Sequence, residues 1–252
     1  MVTAQELRFF EEAKDMVLTF SERERHGIGM QMEKTMHAVL KNFCDPDLDH
    51  QEIPLLNYIA DIFTGEEVIE IQTAQFHRLR NKLSAFLPVY PVRVVYPIPQ
   101  NKWIIWVDPV TGKAGERRTS PLHGSFYTAF SELYKIRPFL KEKNLTIELL
   151  LLDVEEYRLQ DGYARKGKRG SHRYDRIPLR LNDRMVLRGK EDYMQFLPPE
   201  LEEPFTSADL AKTLHYRKEG FSTVLQILHD MQVVKRVGKK RNAYLYEVND
   251  PI

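Results

Sequence analysis

At 252 residues, the chain lies at the upper edge of one domain and is long enough for two, at about 100–200 residues per domain. Its 42% hydrophobic and 29% charged residues, with a formal net charge of +1, are ordinary for a soluble globular protein. No apolar run approaches the ~18–20 residues of a membrane helix, the start lacks the basic-then-apolar pattern of a secretory signal, and the single cysteine, Cys44, excludes an internal disulfide and a cysteine-based zinc site. The expectation is a cytoplasmic protein with no membrane partner.

The elements follow in order. Leu7, Phe10, Ala13, Met16, Val17 and Phe20 recur at helical spacing and predict an amphipathic helix over 1–25. His26-Gly27-Ile28-Gly29 breaks it. A second helix runs from about Met30 to Phe43, with Met32, Met36, Val39, Leu40 and Phe43 on its apolar side and Glu33, His37 and Lys41 as a polar stripe opposite. Asp45-Pro46-Asp47 ends it. Glu52-Ile53-Pro54-Leu55 is a short strand, placed at an edge or strand end by its proline.

Residues 58–73 read as two strands joined by the turn Thr64-Gly65-Glu66-Glu67. Side chains alternate between faces, so Asp61 shares a face with Ile59 and Phe63, while Glu70 and Gln72 share one with Val68. Two carboxylates and an amide can then meet on one face. Carboxylates held close repel unless a cation or proton lies between them, and oxygen ligands suit Mg²⁺ or Mn²⁺. The same residues also fit the solvated side of an ordinary hairpin.

Ala74–Leu87 is helical, with Phe76, Leu79, Leu83, Phe86 and Leu87 in one stripe and Arg78, Arg80 and Lys82 outside it. Val92–Ile98 is a buried strand. Residues 102–123 suggest a further hairpin, Phe126–Arg137 a helix, and Leu145–Tyr157 a long apolar strand extending the same sheet. In the hairpin, Trp103 and Trp106 fall on opposite faces, and Arg117 and Arg118 are either a phosphate clamp or a charged loop end. From Arg158 to Lys190, eleven Lys/Arg face three Asp, a local excess of eight positive charges. Such a stripe is a usual footprint for phosphate, or else a solvated connector. Pro198, Pro199 and Pro204 mark a linker. Two helices, from Thr206 and over Lys218–Met231, then precede a two-strand hairpin with a basic tip, Lys239-Lys240-Arg241, in the order of a winged helix. The predicted organisation is an N-terminal helix (1–25), a sheet domain (26–157), a basic connector (158–204) and a winged helix (205–252).

Residues 26–99 resemble the PD-(D/E)XK, or restriction-endonuclease-like, nuclease superfamily, through Glu33 in the helix, Asp61 in the second strand and Glu70-Ile71-Gln72 in the third. More closely, Gly27-Ile28-Gly29, Glu33–Lys41, Tyr58–Ile62 and Ile69–Thr73 resemble an uncharacterised bacterial family placed in that superfamily, which also carries a winged-helix-like tail. The resemblance implies an α/β fold with an αβββαβ core and an extended mixed sheet. It implies a metal-dependent DNA endonuclease, restriction- or resolvase-like, with Mg²⁺ or Mn²⁺ held by Asp61, Glu70 and the Ile71 carbonyl, and by Glu33 directly or through water. Gln72 stands where the common pattern has lysine. An amide cannot act as a base but can orient a water. His37 and Lys41 could touch phosphate, and Lys239, Lys240 and Arg241 would contact DNA through the wing. A homodimer follows by analogy with enzymes that cut two strands. An inactive nuclease-like DNA-binding protein, a winged-helix regulator and an unrelated α/β protein remain open beside it.

Overall fold

The computed structural model describes residues 2–24, 35–162, 170–217 and 219–249, with side chains over 2–19, 35–159, 173–217 and 219–249. The helices are α1 (Ala4–Glu24), α2 (Thr35–Cys44), α3 (Arg80–Phe86), α4 (Phe130–Leu133), α5 (Lys190–Tyr193), α6 (Ser207–Thr213) and α7 (Phe221–Asp230). The strands are β1 (Gln51–Leu55), β2 (Tyr58–Phe63), β3 (Val68–Ile71), β4 (Val92–Val107), β5 (Arg118–Thr119), β6 (Leu145–Gly162), β7 (Gly170–Leu187), β8 (Val234–Lys240) and β9 (Ala243–Val248). Seven strands form one mixed sheet in the order β1-β2-β3-β4-β6-β7, with β5 on the second half of β4, and β8 and β9 form a separate hairpin. The β3–β4 and β4–β6 pairs are parallel, and the β1–β2, β2–β3 and β6–β7 pairs antiparallel. Among the described residues no helix is long and apolar enough to cross a membrane.

The sheet buries both faces. On β6, Ile147, Leu149 and Leu151 enter one cluster while Leu150, Leu152 and Val154 enter the other, the period-two alternation of a strand. The first face is covered by α3 (Leu83, Phe86), α4 (Phe130, Leu133) and the C-terminal helices (Leu210, Phe221, Leu225). The second is covered by α1 and α2 through Phe10, Met36, Val39 and Leu40. β3 and the start of β4 lie between the two layers, which is why Val68–Ile71 and Val92, Val94 and Val95 are buried. Gly65 takes φ +90 in the β2–β3 turn, where a side chain would be strained. β1 is the sheet edge, as its proline requires.

Three expectations are corrected. Residues 158–204 are not a connector: β6 continues to Gly162, and β7 pairs with it along most of its length. Ile177, Leu179 and Leu181 alternate with Arg176, Arg180 and Arg184, a strand pattern that the charge count obscured. Two of these arginines, Arg176 and Arg184, hold buried carboxylates on that hairpin. Glu148 accepts from Arg93 Nη1 at 3.0 Å and Arg184 Nε at 2.5 Å, and Glu156 from Arg158 Nε at 2.6 Å and Arg176 Nε at 3.1 Å. Second, residues 205–249 share the first-face cluster through Phe205, Leu210, Phe221 and Tyr246, so no linker isolates their core. Third, Val92–Ile98 and the strand at Lys102 are one strand, β4, irregular between Pro99 and Asn101.

The C-terminal order of helix, helix and hairpin is present. α6 opens with a capping box in which Asp209 N–H donates to Thr206 Oγ1 at 3.3 Å and Thr206 N–H donates to Asp209 Oδ2 at 2.9 Å.

Candidate carboxylate site and basic cleft

The β2–β3 ladder pairs Phe63 with Val68 and Ile62 with Ile69. Continued by one step, that register places Asp61 opposite Glu70, as strand alternation predicts. The recorded ladder stops there, and the two carboxylates leave in different directions. Asp61 Oδ2 accepts the Ile71 N–H at 2.7 Å and lies 3.2 Å from His37 Nε2 on α2. Glu70 turns to the other layer, where Lys82 Nζ on α3 donates to its Oε1 at 2.8 Å and its Oε2 at 2.7 Å.

Electrostatics separate the pair. Burial pushes the Asp61 carboxyl up, but the His37 hydrogen bond and charge, the Ile71 N–H and the Lys82 charge outweigh it and hold it below the ordinary value. Glu70 is 2% exposed. Its burial and then the Asp61 charge push it up to about 7, against the pull of Lys82. One carboxylate ionised and its neighbour poised near neutrality is the division expected of two acids sharing a site.

Lys82 is the residue that sequence reasoning missed. Its ammonium sits on both Glu70 oxygens, where a divalent ion was expected. The signal was present: Leu79, Lys82, Leu83 and Phe86 follow the i, i+3, i+4, i+7 spacing of one helix face, so Lys82 belongs to the stripe from which it was excluded.

Other expected site residues are redistributed. Glu33 lies outside the described residues. Lys41 is 3% exposed and donates to Glu52 Oε1 at 2.7 Å, so it is a buried ion-pair member rather than a phosphate contact on a solvated stripe. Gln72 lies just past β3, and its Nε2 donates to the Ala74 carbonyl. Arg117 pairs with Glu155 at 2.8 Å and stacks 4.1 Å from the Trp103 ring centroid, so it braces the β4–β5–β6 surface. Arg118 is exposed in β5. Trp106 carries Arg158 6.0 Å from its ring centroid. Lys239, Lys240 and Arg241 lie exposed at the β8–β9 tip, with Lys239 Nζ 4.8 Å from the Tyr244 centroid.

Among the described residues no three His, Cys, Asp or Glu side chains are grouped to hold a metal. The donors at hand, carboxylate oxygens of Asp61 and Glu70, are of the kind that Mg²⁺ and Mn²⁺ prefer, and Glu70 is open to an ion only when Lys82 moves off one of its oxygens.

Beside this pair lies a cleft of about 380 Å³, lined by His37, Gln72, Gln75, Arg78, Arg173 and Arg176 among others, with no acidic residue in its described lining. Arg173 and Arg176 share it because β7 gains a residue there: Tyr157 pairs with Asp175 but Arg158 with Arg173, so Tyr174 is extra. A bulge of one residue re-aims the side chains that follow it.

These features define a mixed α/β protein carrying a buried carboxylate–lysine cluster beside a basic cleft. The chain belongs to the family described as "Domain of unknown function (DUF8091)", whose model matches residues 34–188. It is similar to an "Uncharacterized protein" of Treponema pallidum (strain Nichols), 29% identical over 182 residues, covering 72% of each chain. No solved structure matches it.

Proposed function

We propose that this protein is a metal-dependent DNA endonuclease of the restriction-endonuclease-like superfamily. The single observation that supports the reading is that Asp61 and Glu70 lie on adjacent strands, one register step beyond the Ile62–Ile69 pair, close enough for the Asp61 charge to raise the Glu70 pKa. The order α2-β1-β2-β3-α3-β4, with β3 and β4 parallel, supports an αβββαβ core. The helix–helix–hairpin order of the C-terminal elements supports a winged helix, whose exposed Lys239, Lys240 and Arg241 would contact DNA phosphates.

Asp61, Glu70 and the Ile71 carbonyl would hold Mg²⁺ or Mn²⁺. Such an ion lowers the pKa of a bound water and neutralises charge developing on phosphate. His37 fixes the orientation of Asp61. Lys82, on leaving Glu70, supplies the positive charge that Gln72 lacks. The Gln72 amide oxygen accepts a hydrogen from the attacking water and aligns it. A homodimer would bring two such sites to opposite strands.

A second reading is favoured by two particular contacts. Lys82 closes on both oxygens of Glu70, and Gln72 is tied to Ala74, which suits a nuclease-like DNA-binding protein that does not cut. Cleavage of single-stranded, branched and duplex DNA with Mg²⁺ or Mn²⁺ separates the two. The endonuclease reading expects wild type to cut at least one substrate, with Asp61→Asn and Glu70→Gln inactive. Binding without cutting by wild type selects the second reading, and equal cutting by all three proteins rejects the site.

A further inference from the structure

We propose that Arg78, Arg173 and Arg176 form a phosphate-binding pocket that seats one phosphate group of a nucleotide beside the His37–Asp61 contact. The inference deepens the nuclease reading and rests on it only for the source of the phosphate.

The charge balance around the cleft favours an anion. Glu156, 1% exposed, is the buried carboxylate behind it, and three cations converge there: Arg158, Arg176 and, at 3.7 Å, Lys102. One negative charge therefore anchors three positive ones. Arg173 stands next to them and makes no ion pair among the described residues. Its guanidinium pKa is lowered by desolvation first and then by Arg176 and Arg158, with only Glu156 opposing. Asp175, the neighbouring acid, turns away to α2, where its Oδ1 accepts the Thr35 N–H at 3.2 Å. Arg78 enters from the segment before α3 and likewise makes no ion pair among the described residues. Arg78, Arg173 and Arg176 line one cleft whose described lining holds no acidic residue, and of the three only Arg176 is paired with a carboxylate, Glu156. Planar N–H forks match phosphate oxygens.

Position and size narrow the ligand. His37 lines the cleft and touches Asp61, so a phosphate here lies next to the His37–Asp61 contact. The volume of about 380 Å³ falls near the small end of the ~300–1,000 Å³ of ligand clefts. It suits one nucleotide unit of a single strand rather than a duplex. The phosphate is either an internal diester or a terminal monoester.

The test uses the full chain in EDTA, so that binding is read without cleavage. Probes are inorganic phosphate, followed by thermal shift, and a thymidine tetranucleotide with or without a 5′-phosphate, followed by calorimetry. Arg173→Ala and Arg78→Ala remove exposed side chains and should leave the circular dichroism spectrum unchanged. Each should weaken tetranucleotide binding about tenfold or more, the loss of one charge-assisted contact, with Arg173→Lys between wild type and alanine. A preference for the phosphorylated probe identifies a terminal monoester. Equal affinity for both, with the same arginine dependence, identifies an internal diester. Alanine variants that bind like wild type, or phosphate that stabilises no more than chloride at equal ionic strength, overturn the proposal. Failure of the nuclease reading has a different signature: phosphate binding persists and no metal-dependent cleavage occurs.

Discussion

Replacing Lys82 by methionine removes the ammonium while keeping most of the stem, and so isolates what holds Glu70 ionised. Glu70 is 2% exposed, and both its oxygens accept from Lys82, at 2.7 and 2.8 Å. Burial and Asp61 already raise its pKa from 4.5 to about 7, an ionisation penalty of about 3 kcal/mol at ~1.4 kcal/mol per pH unit. Loss of Lys82 raises it further. A carboxylate whose folded pKa exceeds its unfolded value contributes stability that is complete below the unfolded pKa and lost as pH rises through the folded one. Lys82→Met should therefore cost little at pH 4.5, where Glu70 is protonated in the fold, and about 3–5 kcal/mol at pH 8, as expected for a buried pair broken on one side. Urea unfolding at the two pH values measures this, with the midpoint at pH 8 falling by about 1 M or more for m-values near ~3 kcal/mol/M. Adding Glu70→Gln should recover much of the loss at pH 8. An equal cost at both pH values, or no recovery in the double variant, would refute the assigned charge pairing.

Further outcomes follow from other contacts. Phe205→Ala should cost about 3–5 kcal/mol and leave one thermal transition, because Phe205 lies in the cluster shared with the sheet; a separate C-terminal transition in calorimetry would contradict that shared core. Changing Lys239, Lys240 and Arg241 to serine should reduce the salt dependence of DNA binding by roughly one unit of slope per lost phosphate contact, and an unchanged slope would point to a protein-facing wing. Arg184→Met should cost about 3 kcal/mol, because it removes one of the two guanidiniums on the buried Glu148; a urea midpoint equal to wild type would contradict this.

The strands carrying Asp61 and Glu70 were legible because runs rich in Ile, Val and Phe flank a glycine turn, the local signature of a hairpin, although β3 is buried at all four positions rather than alternately. The partners of the carboxylates were not. Lys82 reads as a solvated charge until its place between Leu79 and Leu83 is taken as a helix face, and only the α3 packing decides between the two. Lys41 was misplaced for the same reason, since it and His37 meet Glu52 on β1 and Asp61 on β2. The basic run from Arg158 to Lys190 hid a strand, because charge was counted without period: Ile177, Leu179 and Leu181 fall on one side, and Arg158, Arg176 and Arg184 reach Glu156 and Glu148. The cleft was beyond reach, because it depends on a one-residue bulge at Tyr174 that no composition signals.

In the proposed nuclease, Asp61 and Glu70 together hold a divalent ion despite the Lys82 ammonium on Glu70. Electron paramagnetic resonance of Mn²⁺ added to wild type, Asp61→Asn and Glu70→Gln at pH 8 tests it directly. Mn²⁺ should bind wild type, with affinity falling at least about tenfold in either variant. Mn²⁺ that stays free with wild type, or binds all three proteins equally, would contradict it.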